Sequence, residues 1–170
     1  MIANVPQVDI DSLSKSQIEL ITAKIEKIQG SKVTTIEESL FKELNFDDNK
    51  WPEMKAPELW ESQQLNNLDG MVWMRKSITV TKEDANKKAL LELAKIDDQD
   101  FAYINGVLIG TTNNYTKKRT YQIPEGLLKE GKNVIAIKII DNTGGGGIYG
   151  DTSDLKLTLQ NSVIPLSGQW

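Results

Sequence analysis

The chain has 170 residues, 39% of them hydrophobic, and a net charge of −4, with a pI near 5.0. That length suits one domain with at most an appendage, and the acidic balance argues against a nucleic-acid footprint, which would be basic and clustered. Histidine and cysteine are both absent, which excludes an imidazole base, a thiol nucleophile, disulfides and the usual zinc ligands, and leaves only carboxylate chemistry such as a glycosidase pair.

Residues 1–13 read as an extended lead-in. Ser14 and Gln17 have capping-box spacing, and Ile18, Ile21, Ile25 and Ile28 follow as one apolar stripe that Gly30 ends. A second short helix is expected from Thr35, with Ile36, Leu40 and Leu44 on its apolar side. Both stripes are too short for a coiled coil and read as faces packed on a neighbouring surface. Asn45 to Pro57 is an irregular acidic link containing Trp51, Pro52 and Pro57. No apolar run reaches the ~20 residues of a membrane span, and no signal-peptide pattern opens the chain.

From Trp51 onward, short strands and turn signals recur about every ten residues, the cadence of an all-β sandwich. Met71 to Val80 alternates, with Val72, Met74, Ile78 and Val80 on one face and Trp73, Arg75, Ser77 and Thr79 on the other; Lys76 breaks the first face. Leu90 to Ile96 is the next strand. Asn105-Gly106 then sits between two β-prone runs and predicts a tight hairpin. Asp97, Asp98 and Asp100 crowd into the elbow before that hairpin, where a solvated acidic turn is favoured over a calcium site because the EF-hand glycine and distal glutamate are missing. Arg119 to Ile123 predicts a short strand, Pro124 to Lys132 a single helical turn, and Asn133 to Ile140 a central strand covered on both faces. Leu155, Leu157 and Leu159 alternate in the last expected strand, and SVIPLSGQW reads as an exit linker. The expected layout is an N-terminal helical linker over 1–50, a β-sandwich over 51–163 and an exit linker over 164–170.

Three constellations bear on chemistry. Gly144, Gly145, Gly146 and Gly147 form a run that permits close backbone approach. No Lys-Ser/Thr pair or helix follows it, so a phosphate loop is a poor reading, and a loop pressed on a ligand or another domain competes with a plain flexible loop. Gly150-Asp151-Thr152-Ser153 superficially suggests an esterase block, but threonine stands where the nucleophile belongs and no histidine exists to activate it. Trp51, Trp60 and Trp73 suit core or interface packing better than a displayed sugar platform.

The order PELWE, LDGMVWMRK, IDDQDFAYINGVLIG, RTYQIP, LLKEGKNVIAIKIIDNTGGGGIYGD and IPLSGQW resembles the accessory β-sandwich of bacterial sialate O-acetylesterases. More broadly it resembles the galactose-binding-like domain of β-galactosidases and related glycosidases. The likeness covers Trp51 to Trp170. It implies a mainly β, galactose-binding-like jelly-roll sandwich preceded by one or two N-terminal helices. It implies a non-catalytic domain, without cofactor or metal, whose partner is an SGNH-type catalytic domain of the same parent polypeptide, with glycan as a further contact and a periplasmic or secreted parent. An autonomous carbohydrate-binding module and the sugar-binding domain of a family 2-type glycosidase are the alternatives. Carried across from the β-galactosidases, the loops facing the active site are Leu65 to Gly70 and Asp141 to Asp151. The candidate carbohydrate or interdomain contacts are then Asn67, Asp69, Trp73, Arg75, Asn142, Gly144, Gly145, Gly146, Gly147, Tyr149 and Asp151. None of these matches a catalytic acid or nucleophile.

Overall fold

A computed structural model describes residues 38–63, 65 and 68–170 of the chain. The helix expected from Ser14 lies outside the described residues, as does Asn67. The second short helix is described only from Glu38, where Glu38–Lys42 forms a 3₁₀ turn. The strands of the described residues are β1 (Lys55–Ala56), β2 (Glu58–Leu59), β3 (Gly70–Val80), β4 (Ala89–Ile96), β5 (Gln99–Ile104), β6 (Val107–Asn113), β7 (Lys118–Ile123), β8 (Gly131–Asp141), β9 (Gly147–Tyr149), β10 (Leu155–Thr158), β11 (Val163–Pro165) and β12 (Gly168–Gln169).

They make a galactose-binding-like β-sandwich. One sheet is β3-β8-β5-β6, and the other runs β11-β10-β4-β9-β2 with β7 on the free edge of β4. Every strand pair is antiparallel. A register shift between Glu92 and Lys95, with Ala94 at φ +54°, bends β4 so that β10 and then β9 take successive parts of one edge.

The period-two readings hold where both strand faces are covered. In β3, Met74, Ile78 and Val80 point into the core. Lys76, on the same face, is drawn out to the sandwich edge, where its Nζ donates to Gln169 O at 2.5 Å over the Trp170 ring. Burial holds its ammonium below the ordinary lysine range. In β8, Ile135, Ile137 and Ile139 face the second sheet, while Val134 and Ala136 on the other face are also fully buried. Each such isoleucine contributes about 1.5–3 kcal/mol by leaving water. Asn105 and Gly106 take φ +49° and +86° in the tight turn joining β5 to β6, as an Asn-Gly pair permits.

The outer face of β3, β8 and β5 is covered by residues 38–51. Phe41 sits edge-on to Phe46, Trp51 and Trp73, with ring centroids 5.1–5.9 Å apart, and Trp73 stacks on Tyr103. Arg75, with a side chain 2% exposed, pairs with Asp48 at 2.7 Å and donates to the carbonyls of Phe41, Glu43 and Phe46. The guanidinium fork thus satisfies a run of irregular backbone that the sheet face would otherwise desolvate.

Three expectations are corrected. Pro124 to Lys132 forms turns, not a helical turn, because Gly126 and Gly131 stand at φ +82° and +84°; Leu128 still reaches the core. The tail is not a free linker: β11 pairs with β10 and β12 with β1, while Trp170 exchanges backbone hydrogen bonds with Met54. Short edge strands tolerate Pro165 and Gly168, which read as breakers in isolation.

Asp100 is the third. It is not at a solvated elbow but fully buried, on the same inward face of β5 as Ala102 and Ile104. Arg119 Nε meets it at 2.7 Å and the Tyr121 hydroxyl donates to it at 2.7 Å. Arg119 also donates to the Asn114 and Lys117 carbonyls. Burial pushes the Asp100 carboxyl up, and the bonds from Tyr121 and Arg119 oppose that push. Breaking a buried ion pair by removing one partner leaves an uncompensated charge, so Arg119→Met should cost about 3–5 kcal/mol in urea denaturation, and Asp100→Leu/Arg119→Met should recover most of that loss. Equal losses in the single and double variants would contradict this account of the pair.

Candidate functional site

The strands deliver a group of loops to one end of the sandwich. Gly70 pairs with Asp141 at the last register of β3 and β8, so Asp69 and Asn142 leave the sheet side by side. The β4–β5 elbow, Asp97 and Asp98, arrives at the same end: Asn142 N and Nδ2 both donate to Asp98 Oδ2 at 2.8 Å, and Asp97 N donates to Gly147 O at 3.1 Å. β9 then carries Gly147 to Tyr149 between β2 and the end of β4.

The glycine run is held by its own domain. Gly146 N donates to both oxygens of the Glu61 carboxylate at 3.0 and 3.1 Å, and Gly146 O accepts from Trp60 N. A Cβ at Gly146 would lie 1.9 Å from Trp60 Cζ2 and 2.6 Å from Asp141 Oδ2. Trp60 is 1% exposed, so its ring cannot withdraw cheaply. Gly146 is therefore glycine because the backbone lies against an indole. Gly144 and Gly147 are at φ +98° and +113°, where side chains are strained.

Carboxylates dominate the rim. Asp97, Asp98 and Asp141 each offer an oxygen within 4.8 Å of the others. None of the three enters a salt bridge among the described residues. Burial, then the neighbouring Asp98 and Asp141, push the Asp97 carboxyl up to about 6. Burial also pushes Asp141 up, with Asp69 and Asp98 adding to it against a hydrogen bond from Thr143 N and one shared with the Asp97 carboxyl. Asp141 is 1% exposed, and its Oδ2 has no hydrogen-bond donor among the described residues.

The structure thus gathers Asp69, Asn142, Gly144, Gly145, Gly146, Gly147 and Tyr149 at one end. Asp151 is exposed and caps the 3₁₀ turn at Thr152–Asp154, accepting from Ser153 N and Oγ, bonds that hold its carboxyl below the usual range. Trp73 and Arg75 lie three and five residues along β3 from Gly70, committed to residues 38–51. Sequence reasoning did not reach Glu61, and it read Trp60 only as a packing residue and Asp141 only as a loop boundary, without joining either to the rim. Their signal was long-range: Glu61 and Gly146 are 85 positions apart.

A concavity lies elsewhere. A cleft of about 360 Å³ is lined by Trp51, Trp73, Trp170, Lys76 and Gln169 among others. Its indoles already serve the cover of β3 and the β1–β12 edge.

No family model matches the chain. A β-glucuronidase of Formosa agariphila is 27% identical over 121 residues, 60% of this chain and 12% of that protein. The Bacteroides uniformis β-glucuronidase structure matches with a TM-score of 0.60 and 24% identity, over 74% of this chain and 16% of that one. A glycoside hydrolase family 2 member from Bacteroides cellulosilyticus matches with a TM-score of 0.56 and 18% identity, over 69% and 18%. The chain therefore shares its fold with a small part of much longer proteins. These relatives are glycosidases, and the sialate O-acetylesterase parent expected from the motif order has no counterpart among them.

If Trp60 fixes the loop, Gly146→Ala should lower stability by about 1–3 kcal/mol through overpacking. Gly145→Ala, whose Cβ would meet Leu59 Cδ1 at 3.3 Å, should stay within about 0.5 kcal/mol of the parent. Urea midpoints of the two variants decide it; equal effects would contradict the contact.

Proposed function

We propose that this chain is the sugar-binding sandwich of a larger, family 2-type glycosidase, and that its β8 end forms a wall of the substrate cleft beside a catalytic domain of the same polypeptide. The observation that carries the reading is the gathering of Asp69, Asn142, the glycine loop and Tyr149 on loops at one end of a rigid sheet pair. Scaffolded loops are where recognition resides.

The chemistry suits sugar hydroxyls. Asp69 and Asn142 are exposed, and carboxylate and amide oxygens accept from hydroxyl donors. The Tyr149 ring is half-buried, with its hydroxyl donating to Tyr115 O and Lys95 Nζ over the ring at 6.0 Å from its centroid, contacts that fix the ring. Leu59 and Met71, 36% and 48% exposed beside the loop, supply apolar surface of the kind that a neighbouring domain covers. The residue inventory agrees with an accessory role. Without histidine or cysteine, the rim offers only carboxylates, and its tight cluster sits within 4.8 Å, closer than the ~5–9.5 Å separations that retaining and inverting glycosidases use. The domain then contributes substrate orientation, not bond-breaking groups.

The purified chain should hydrolyse neither aryl β-glycosides nor aryl acetates. It should bind β-linked disaccharides weakly, with a dissociation constant of about 1 mM, near 4 kcal/mol. Asn142→Ala or Tyr149→Ala should weaken that binding several-fold in calorimetric titration. Turnover by the chain, or sugar binding indifferent to both substitutions, would overturn the proposal.

A further inference from the structure

We propose that Asp97, Asp98 and Asp141 form a calcium site that clamps the β4–β5 elbow to the glycine loop. The three residues come from two separate segments and bring carboxylate oxygens within 4.8 Å of one another. Clustering alone proves little, since exposed acids often crowd. Here one member is not exposed. Asp141 is 1% exposed; Thr143 N takes its Oδ1, its Oδ2 has no hydrogen-bond donor among the described residues, and the Asp97 carboxyl lies within hydrogen-bond reach of the Asp141 carboxyl, so the two acids meet over either a shared proton or a cation. An ionised oxygen left bare in the interior is costly, and a cation supplies what it lacks.

Among the described residues, no protein cation pairs with these three carboxylates. The salt bridges of the described residues use Asp48, Asp100, Asp154, Glu38 and Glu92, none of them in this group. Asp69 adds a further negative charge beside Asp141. With neither histidine nor cysteine in the chain, every available ligand is a hard oxygen, which selects calcium or magnesium over zinc and its neighbours. Calcium fits better. The carboxylates meet across a loop of four glycines and an elbow with Asp98 at φ +40°, an irregular frame that suits calcium's variable coordination and not magnesium's strict octahedron. Water fills the remaining positions.

The bound ion would add a third tie between elbow and loop, beside the Asn142–Asp98 and Asp97–Gly147 hydrogen bonds. It would thus stiffen the rim to which sugar contact is assigned above. The inference does not rest on that assignment: a chain that binds calcium and no sugar leaves it intact.

The test is isothermal titration calorimetry of the EDTA-stripped 170-residue chain with CaCl₂ and, separately, MgCl₂ at neutral pH. The expected result is saturable one-to-one calcium binding, with a dissociation constant of about 10⁻⁵–10⁻³ M and magnesium at least about tenfold weaker. Asp97→Asn and Asp98→Asn, both at partly exposed positions, should each weaken calcium by about tenfold or more as one ligand charge is lost. Terbium supplies a second readout: because Trp60 packs on Gly146 beside Asp141, tryptophan excitation should sensitise bound terbium, and calcium should quench the signal by displacement. No saturable heat with millimolar calcium overturns the site, and leaves a proton shared between Asp97 and Asp141 as the answer to the buried oxygen. Calcium binding that both substitutions leave unchanged places the ion elsewhere and overturns it equally.

Discussion

The fold depends on β8 being covered on both faces. Ile135, Ile137 and Ile139 belong to the core between the sheets, and Val134 and Ala136 on the opposite face are also fully buried. Stripping either cover would expose a β-branched run to water. The strand is also flanked along its length by β3 and β5, so its register cannot slip without turning its apolar set inside out. That rigidity fixes where β8 stops. Asp141, its last residue, is held at the sandwich end at the point where the glycine loop begins.

Two groups of buried charge show how differently the interior treats carboxylates. Asp100 is fully buried and fully answered by Arg119 and Tyr121. It joins β5 of one sheet to β7 of the other and has no bond left to offer. Asp141 is almost as deeply buried, yet one oxygen has no hydrogen-bond donor among the described residues. The first group is a structural device, whose removal should be felt in stability. The second is unfinished among the described residues, and a buried polar group left so calls for an explanation, which the calcium proposed above would supply.

Much of the fold was legible because it follows short-range rules. Asn105-Gly106 announces its hairpin, the near-continuous apolar run of β8 announces a doubly covered strand, and the alternation of β3 sorts Met74 and Ile78 from Trp73 and Arg75. Legibility failed where partners are distant. Asp100 looks like its neighbours Asp97 and Asp98 until Arg119 and Tyr121, nineteen and twenty-one positions on, are placed opposite it. The strand period alone, putting Asp100 in line with Ala102 and Ile104, held the clue. Asp98 and Asn142 are 44 positions apart, and no local pattern joins them. Trp73 and Arg75 were aligned with the candidate contacts by motif, but residues 38–51 occupy both. The glycine run was legible as a site of close approach, though the surface it approaches is the domain's own Trp60.

The proposed function turns on the β8 end, and not the tryptophan-lined cleft near Trp51 and Trp170, being the place where this domain meets its ligand. Amide chemical-shift mapping of the labelled chain during a disaccharide titration addresses that most directly. The account predicts shifts concentrated at Asp69, Asn142 and Gly144 to Tyr149. Shifts concentrated at Lys76, Gln169 and Trp170, or none along the glycine loop, would contradict it.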